Sequence, residues 1–497
     1  MTSPNDWRKA QDPADLFLLL SSYVTSLSGA TVAAAASLPT DVTDFFTLAL
    51  HAEGGSAAVD EMCAVLQKHW PREDNWKAQR VRAALALSAM RAIDVAMLAI
   101  HPRSLIGTGG FSSLPEWLEN SRERRTLDGV YAQAANQALI ARGPFARAPR
   151  SPTEESTFVL TNQFAALKIV DMSVFRESGR ELTVKLKVID QGADLGVPPR
   201  RDRAGSEVIS FVPLAEAGDD LLARISTDDA TTYIDIEKGT GFDPVGRLVN
   251  AIGDCADSDI IVAPELTVTS SDVSAIAAAL SAMQSARPRL VVAGSGLAAQ
   301  DSESGLPYNQ ATIFNANGAA LWYHRKIAAY AMRDNTSKDL NLPGAAGAPE
   351  LMERIAWSNA ITIADVDGLG RCLVLICQDL VMQVVRNLLD EFRPDWVLIP
   401  IMDSGTSLNR WPARHARDLA AFSESRFVIV SSLAMKHWLK TSYPGEQMGV
   451  AIGPAYVNNG DAGADVAARQ IEVGPESPGR RHATVRWRSV FGWASYR

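Results

Sequence analysis

The chain has 497 residues, more than one ordinary hydrophobic core holds, so two or three domains are expected. Its 47% hydrophobic and 21% charged residues exclude the disordered and fibrous classes, and a net charge of −9 argues against a nucleic-acid-binding surface. The four cysteines, Cys63, Cys255, Cys372 and Cys377, show no CxxC pairing and no histidines at zinc-ligand spacing, which argues against a disulfide framework or structural zinc and for a reducing, cytoplasmic setting.

Residues 1–150 read as helical. The segment Leu16–Leu38 carries no charge over 23 residues, long enough for a membrane span or signal peptide. Seven of those residues are Ser or Thr, and Asp12 and Asp15 stand where a signal would be basic, so buried helices and no membrane are expected. Asn75–Ile100 has apolar residues at helical spacing, and Leu127–Ala141 reads as a second helical run. Between them, Gly107–Phe111 (GTGGF) follows no strand and lacks the Lys-Ser/Thr of a phosphate loop, so it reads as a turn. Arg142–Ser156, rich in proline and arginine, is the expected linker. The modestly basic stretch Arg72–Arg150 reads as a solvated helix face, with a docking surface for acidic partners as the alternative, and a protein partner bound by this helical domain is the partner expected.

Residues 151–230 are expected to connect this domain to the next. Glu181–Asp190 alternates as a half-buried strand does, Glu207–Leu214 is a second strand-like run, and PPRRDRAG between them is an exposed loop. Over 231–497 strands alternate with helices. Asp259–Glu265 (DIIVAPE), Arg289–Gly296, Trp396–Met402 and Arg426–Ser432 read as buried strands, and Ser271–Met283 and Gln378–Leu389 as helices. Hairpins are expected at NANG (Asn315–Gly318) and DGLG (Asp367–Gly370). Buried strands flanked by helices predict an α/β domain with mixed sheets.

Three strand ends carry reactive groups: Glu265 after DIIVAP, Lys326 after AALWYHR, and Cys377 after CLVLI. Active sites of α/β sheets form where strands deliver side chains at their carboxyl ends. A carboxylate, an ammonium and a thiol so placed are a base, an electrostatic stabiliser and a nucleophile. Each alone has a bland reading: a packing thiol, a cap carboxylate, a solvated lysine. In a strand, Cys372 and Cys377 point to opposite faces; Cys372, early in the strand, reads as packing and Cys377 as the nucleophile.

Together these motifs resemble the carbon–nitrogen hydrolase (nitrilase) superfamily, which uses a Glu-Lys-Cys triad. IIVAPE with Glu265, YNQATIFNANGAALWYHRK with Lys326 and GRCLVLICQD with Cys377 and Asp379 match its three motifs, and SESRFVIVSS and MGVAIGP are softer matches. The resemblance implies an α-β-β-α sandwich of mixed sheets flanked by helices. It implies catalytic roles for Glu265, Lys326 and Cys377, and a second active-site glutamate, Glu353, with Glu350 the alternative. Asp379 is expected to bond backbone at the elbow rather than to react. Gln378 stands where Trp or Tyr is common, Ser425 replaces the usual Asn, and the segment after Lys326 departs from the family pattern, so substrates do not transfer.

The expected activity is hydrolysis of a small-molecule amide, before nitrile or carbamoyl, through a Cys thioester with no metal or organic cofactor. The helix after Cys377 is expected to favour the thiolate. Gln378, Trp411 and His415 are expected to line the substrate site. The family's domains pair, which implies a homodimer or higher homo-oligomer, with the tail Gly479–Arg497 as an interface arm. The alternative from another class is a nitrilase-like module serving assembly, signalling or bacterial defence, its partner bound by the N-terminal domain.

Overall fold

A computed structural model describes residues 4–38, 40–102, 114–143, 160–173, 175–189, 205–228, 231–283, 288–333, 340, 342, 350–439, 446–455, 465–474, 476–488 and 492–496. The chain divides into two compact units, Met1–Ser173 with Leu186–Val188, and Val174–Lys185 with Ile189–Arg497.

In the first unit, helices α1 (Pro4–Trp7), α2 (Pro13–Thr25), α3 (Gly29–Ala36), α4 (Thr43–Ala49) and α5 (Gly55–His69) are followed by the long α6 (Trp76–Met97). Helices α2 to α5 all contact α6. Its run Ala83–Met90 is buried all round, as a helix enclosed by neighbours requires, and small residues there let those neighbours approach. The uncharged stretch Leu16–Leu38 forms most of α2 and all of α3, with Leu16, Phe17, Leu18 and Leu20 buried in this core. Asp12 starts α2 by accepting from the backbone N–H groups of Ala14 (2.8 Å) and Asp15 (3.0 Å), and Arg124 holds its other oxygen at 2.8 Å. The span Trp76–Ile100 is long and apolar enough to cross a membrane, yet most of it is buried inside this unit.

The helix expected over Leu127–Ala141 does not form. Helix α7 (Glu116–Asp128) ends at Gly129, whose φ of +79° is the left-handed cap that glycine adopts freely. Strands β1 (Ala132–Ala134) and β2 (Gln137–Ala141) follow as a hairpin, and β2 pairs with β3 (Leu167–Asp171). Pairing on both sides overrides the helical propensity of the alanines. The buried Asp94 carboxylate of α6 accepts from the N–H groups of Ala165 (2.7 Å), Ala166 (2.9 Å) and Leu167 (2.8 Å), which fixes where β3 begins. The GTGGF turn and residues 144–156 of the expected linker lie outside the described residues.

The second unit begins with strands β4 (Phe175–Glu177), β5 (Arg180–Ile189), β6 (Val208–Phe211), β7 (Leu221–Asp228) and β8 (Thr231–Lys238). It continues through α8 (Pro244–Asp254), β9 (Ile260–Val262), α9 (Ser270–Ala282), β10 (Leu290–Gln300), β11 (Pro307–Phe314), β12 (Ala320–Arg325), β13 (Ala331–Arg333) and β14 (Glu350–Glu353). Then come β15 (Ala360–Val366), β16 (Gly370–Val374), α10 (Gln383–Phe392), β17 (Trp396–Ile401), α11 (Trp411–Ser423) and β18 (Arg426–Ser431). The last strands are β19 (Gln447–Ala455), β20 (Asp465–Glu472), β21 (Ala483–Arg488) and β22 (Gly492–Ser495).

A seven-stranded mixed sheet runs in the order β12-β11-β10-β9-β6-β21-β22, and an eight-stranded one in the order β20-β19-β18-β17-β16-β15-β5-β4. Leu248 and Ile252 of α8 and Ile276 and Leu280 of α9 bury against the first sheet, and α11 packs on β18 and β19 of the second. The inner faces meet closely. A Cβ on Gly449 would lie 2.6 Å from the Phe211 ring, and one on Gly453 2.8 Å from the Trp487 ring, so β19 carries glycine where the other sheet's aromatics press in. The result is the expected α-β-β-α sandwich, and both expected hairpins form, at Asn315–Gly318 and between β15 and β16.

One expectation needs correction. The described residues of 151–230 do not form a separate connecting region: β3 completes the first unit's sheet, and β4 to β7 belong to sheets of the second. The apolar run of β6 is buried between β9 and β21, which is why it sits inside a sheet. In the tail, β21 and β22 extend the seven-stranded sheet, with β22 at its edge, and bury Trp487 against Trp493, ring centroids 5.0 Å apart.

Inside the second unit, Arg426 lies 3.7 Å over the Trp396 ring and pairs with Glu207 at 3.1 Å and Asp395 at 3.3 Å. A smaller four-stranded sheet, β13-β14-β8-β7, has its own apolar cluster including Ile234, Met332, Leu340 and Met435. Gly453→Val is expected to destabilise the second unit by about 1–3 kcal/mol through overpacking against Trp487. A lower urea midpoint for that unit's unfolding checks it, and an unchanged midpoint would show that the sheets part freely.

Candidate active site

Strand β9 runs on through Ala263 and Pro264 to Glu265, β12 ends at Lys326, and β16 runs on through Leu375 and Ile376 to Cys377. The three side chains meet. The Lys326 ammonium donates to Glu265 Oε1 at 2.8 Å and to Glu353 Oε2 at 2.6 Å, and Glu265 and Lys326 are almost wholly buried. Glu353 comes from the end of β14; Glu350, at the other end of that short strand, is exposed.

Every oxygen of the two carboxylates has a donor. Glu265 Oε1 also accepts from Asn309 Nδ2 (3.0 Å), and its Oε2 accepts from the Met402 N–H (2.9 Å). Glu353 Oε1 accepts from the same Asn309 amide (3.0 Å), and its Oε2 from the Tyr330 N–H (3.1 Å). Asn309 thus spends both amide protons holding the two glutamates on either side of one lysine.

Cys377 opens a short 3₁₀ turn, Cys377–Val381, with φ at +47°, a left-handed conformation rare for a residue with a side chain. Asp379 holds it there. Its Oδ2 accepts from the Ile376 N–H (2.9 Å) and from His324 Nε2 (2.9 Å), and its Oδ1 from the Ile327 N–H (2.9 Å). One buried carboxylate therefore ties the cysteine turn to residues on both sides of Lys326. The expectation that Asp379 bonds backbone at the elbow is met.

The expected helix start at Cys377 is not. Helix α10 begins only at Gln383, after Met382 adopts an extended conformation with ψ of 140°. The Asp379 side chain takes the backbone N–H that precedes the turn, and the helix that was to favour a thiolate starts six residues later. The positive charge beside the sulfur is that of Lys326.

Burial pushes the Cys377 thiol well above its ordinary range, the Glu265 charge raises it further, and Lys326 pulls it down. Burial likewise raises Glu265, countered by the Lys326 charge and by hydrogen bonds from Lys326 and the Cys377 thiol. For Lys326 burial works to discharge the ammonium, but the carboxylates of Glu265 and Glu353 outweigh it and hold the ammonium charged. The resting site is a neutral thiol beside a buried carboxylate–ammonium–carboxylate array.

These groups open onto a cavity of about 860 Å³. Glu265, Lys326, Glu353, Cys377, Gln378, Trp411 and His415 all line it, so every candidate residue reaches one site. Cys372 is fully buried in β16, away from that lining, with its sulfur 3.7 Å from the Gly370 carbonyl oxygen. Asp403 was not anticipated. It follows β17 and accepts from Arg410 (2.6 Å) and from the Trp411 indole Nε1 (2.7 Å), which pins the tryptophan in the cavity wall. His324 and the bridging role of Asn309 were missed too, since both side chains act through partners distant in sequence.

No protein-family model matches the sequence. No curated protein matches it either. Among solved structures the chain is similar to Saccharomyces cerevisiae Nit3, a member of branch 10 of the nitrilase superfamily, at 14% identity over 54% of this chain and 90% of that one, with a TM-score of 0.33. It is similar to an amidase from Nesterenkonia sp. at 14% identity over 54% of this chain and 91% of that one, TM-score 0.33. A third is the glutamine-dependent NAD+ synthetase from Acinetobacter baumannii, 15% identical over 59% of this chain and 49% of that one, TM-score 0.34. The likeness is one of fold.

The electrostatics give a signed expectation. A thiol raised above the ordinary value of 9.0 reacts as thiolate only in alkaline solution, so iodoacetamide labelling of Cys377 should accelerate through pH 9 and beyond. Glu265→Gln removes a negative charge and should move the profile to lower pH; Lys326→Met removes a positive one and should move it higher. Profiles that coincide in all three proteins would contradict this picture of the site.

Proposed function

We propose that the protein is a hydrolase that cleaves a non-peptide carbon–nitrogen bond, an amide before a nitrile, through a thioester on Cys377. The observation that carries the reading is the convergence of Cys377, Glu265 and the doubly held Lys326 on one cavity. Gln378 after the thiol brings no aromatic ring, which favours the amide.

In this reading the carboxylate of Glu265 takes the thiol proton as the sulfur attacks the carbonyl carbon. The C–S bond forms and the carbonyl electron pair moves to oxygen, where the Lys326 ammonium and the Gln378 N–H stabilise it. The intermediate collapses, the C–N bond breaks, and the amine leaves with the proton that Glu265 held. Water, deprotonated by Glu265, attacks the thioester; the carboxylic acid leaves and the thiol is restored. The sum is amide plus water to carboxylic acid plus amine. Glu353 holds Lys326 in place throughout.

The raised carboxyl of Glu265 suits this role, because a base must hold the proton between two steps. A neutral resting thiol means that the proton moves only when a carbonyl carbon is in reach.

Ammonia release from a panel of primary carboxamides tests the reading. Cys377→Ala and Glu265→Gln should reduce it to background, and Lys326→Met should lower kcat by about 100- to 1,000-fold, the usual cost of losing a donor to the oxyanion. Undiminished release by Cys377→Ala would sink the thioester route.

A further inference from the structure

The cavity beside Cys377 is far larger than the reacting group of an amide needs, and its walls differ. One wall comes from the small third sheet and its neighbours: Ile234 and Ile236 of β8, Met332 of β13, Leu340, Met435 and Leu439. Ile234, Met332, Leu340 and Met435 belong to one apolar cluster, each less than a tenth exposed. The indole of Trp411, pinned by Asp403, also faces the cavity.

Two of the three Lys and Arg side chains that line the cavity are closely paired: Lys326 is held by two carboxylates and Arg410 by Asp403 at 2.6 Å, while Arg354 lies over the Tyr233 ring, 3.6 Å from exposed Asp228. An anionic acyl group would therefore find Lys326 and Arg410 already paired and would have to be met by Arg354 at the exposed side. Asp235, a carboxylate for which no close cation is seen among the described residues, points elsewhere. It lines the cavity, and burial raises its carboxyl against the pull of Arg354.

Resting on the hydrolase reading above, we infer that the substrate is a primary amide of a large, uncharged, apolar acyl group, a medium-chain aliphatic or arylalkyl amide, whose chain lies along the wall of the third sheet. Sites of this size bury most of a ligand of many heavy atoms, and apolar contact supplies the affinity while a few polar groups orient it. The carbonyl carbon sits at the thiol, and the amide nitrogen leaves as ammonia. Apolar burial gives each methylene about fourfold in binding, so chain length is the measurable signature.

Two measurements on the full chain test the inference. Ammonia release by the native protein is compared for acetamide, octanamide, 8-aminooctanamide and the monoamide of suberic acid. Binding of the same four amides to Cys377→Ala is followed by calorimetry. Octanamide should exceed acetamide by at least about 100-fold in both kcat/KM and affinity, and should exceed both charged analogues at least tenfold. Met435→Trp, which fills the wall, should cut the octanamide-to-acetamide ratio at least tenfold. Acetamide within tenfold of octanamide, or a charged analogue ahead of it, overturns the inference and leaves the hydrolase reading intact. Tight octanamide binding with no ammonia released supports the cavity assignment and removes the hydrolase reading. Neither binding nor release overturns both.

Discussion

The site rests on a lysine ammonium buried between two glutamates. Removing such charges from water costs several kcal/mol per ion even in relaxed proteins, and attraction repays it only with good geometry and full hydrogen bonding. The structure meets that condition group by group: Asn309 bonds both carboxylates, the Met402 N–H takes the remaining oxygen of Glu265, and the Tyr330 N–H takes Glu353. These donors come from β11, from the end of β17 and from the loop after β12, so the array is assembled only when both large sheets and the small third sheet are in place. Without Lys326 two carboxylates would face each other in the interior, and one would have to protonate.

This constraint shapes the chemistry. Two acids and one base leave a net negative charge, so a second anion on sulfur is unfavourable at rest and the thiol stays protonated. In the proposed reaction the proton moves to Glu265 when charge develops on a substrate oxygen that Lys326 can meet, which would couple activation of the thiol to occupancy. The left-handed backbone at Cys377 contributes by aiming the sulfur, and Asp379 holds that strained turn by bonding to residues flanking Lys326. Cys377 and Lys326 are thus positioned by one carboxylate, while Glu265 and Lys326 are positioned by one asparagine.

Much of this was legible in the sequence where local pattern and function coincide. Buried strands ending in Glu265, Lys326 and Cys377 are written as apolar runs with a polar terminus, and strand direction alone separates Cys372 from Cys377. The readings that failed involve competition between elements. Alanine-rich Leu127–Ala141 looks helical until pairing with β3 is known, and 151–230 looks like a connecting region until its strands join sheets of both units. The helix start at Cys377 gave way to an Asp379 side chain whose partners, His324 and Ile327, lie more than fifty residues earlier. Asp403 and Asn309 carry no periodic signal at all, because their roles depend on which groups the sheets bring near.

The central claim is that Cys377 forms a bond to the acyl carbon while Glu265 holds the proton. The most direct measurement is the mass of the Cys377-containing peptide from protein quenched in acid during turnover of a carboxamide. The expected result is a gain equal to the acyl group replacing one hydrogen on that peptide and on no other, absent in Glu265→Gln. Ammonia release with the Cys377 peptide unmodified at every time point, or the acyl group on another residue, would contradict it.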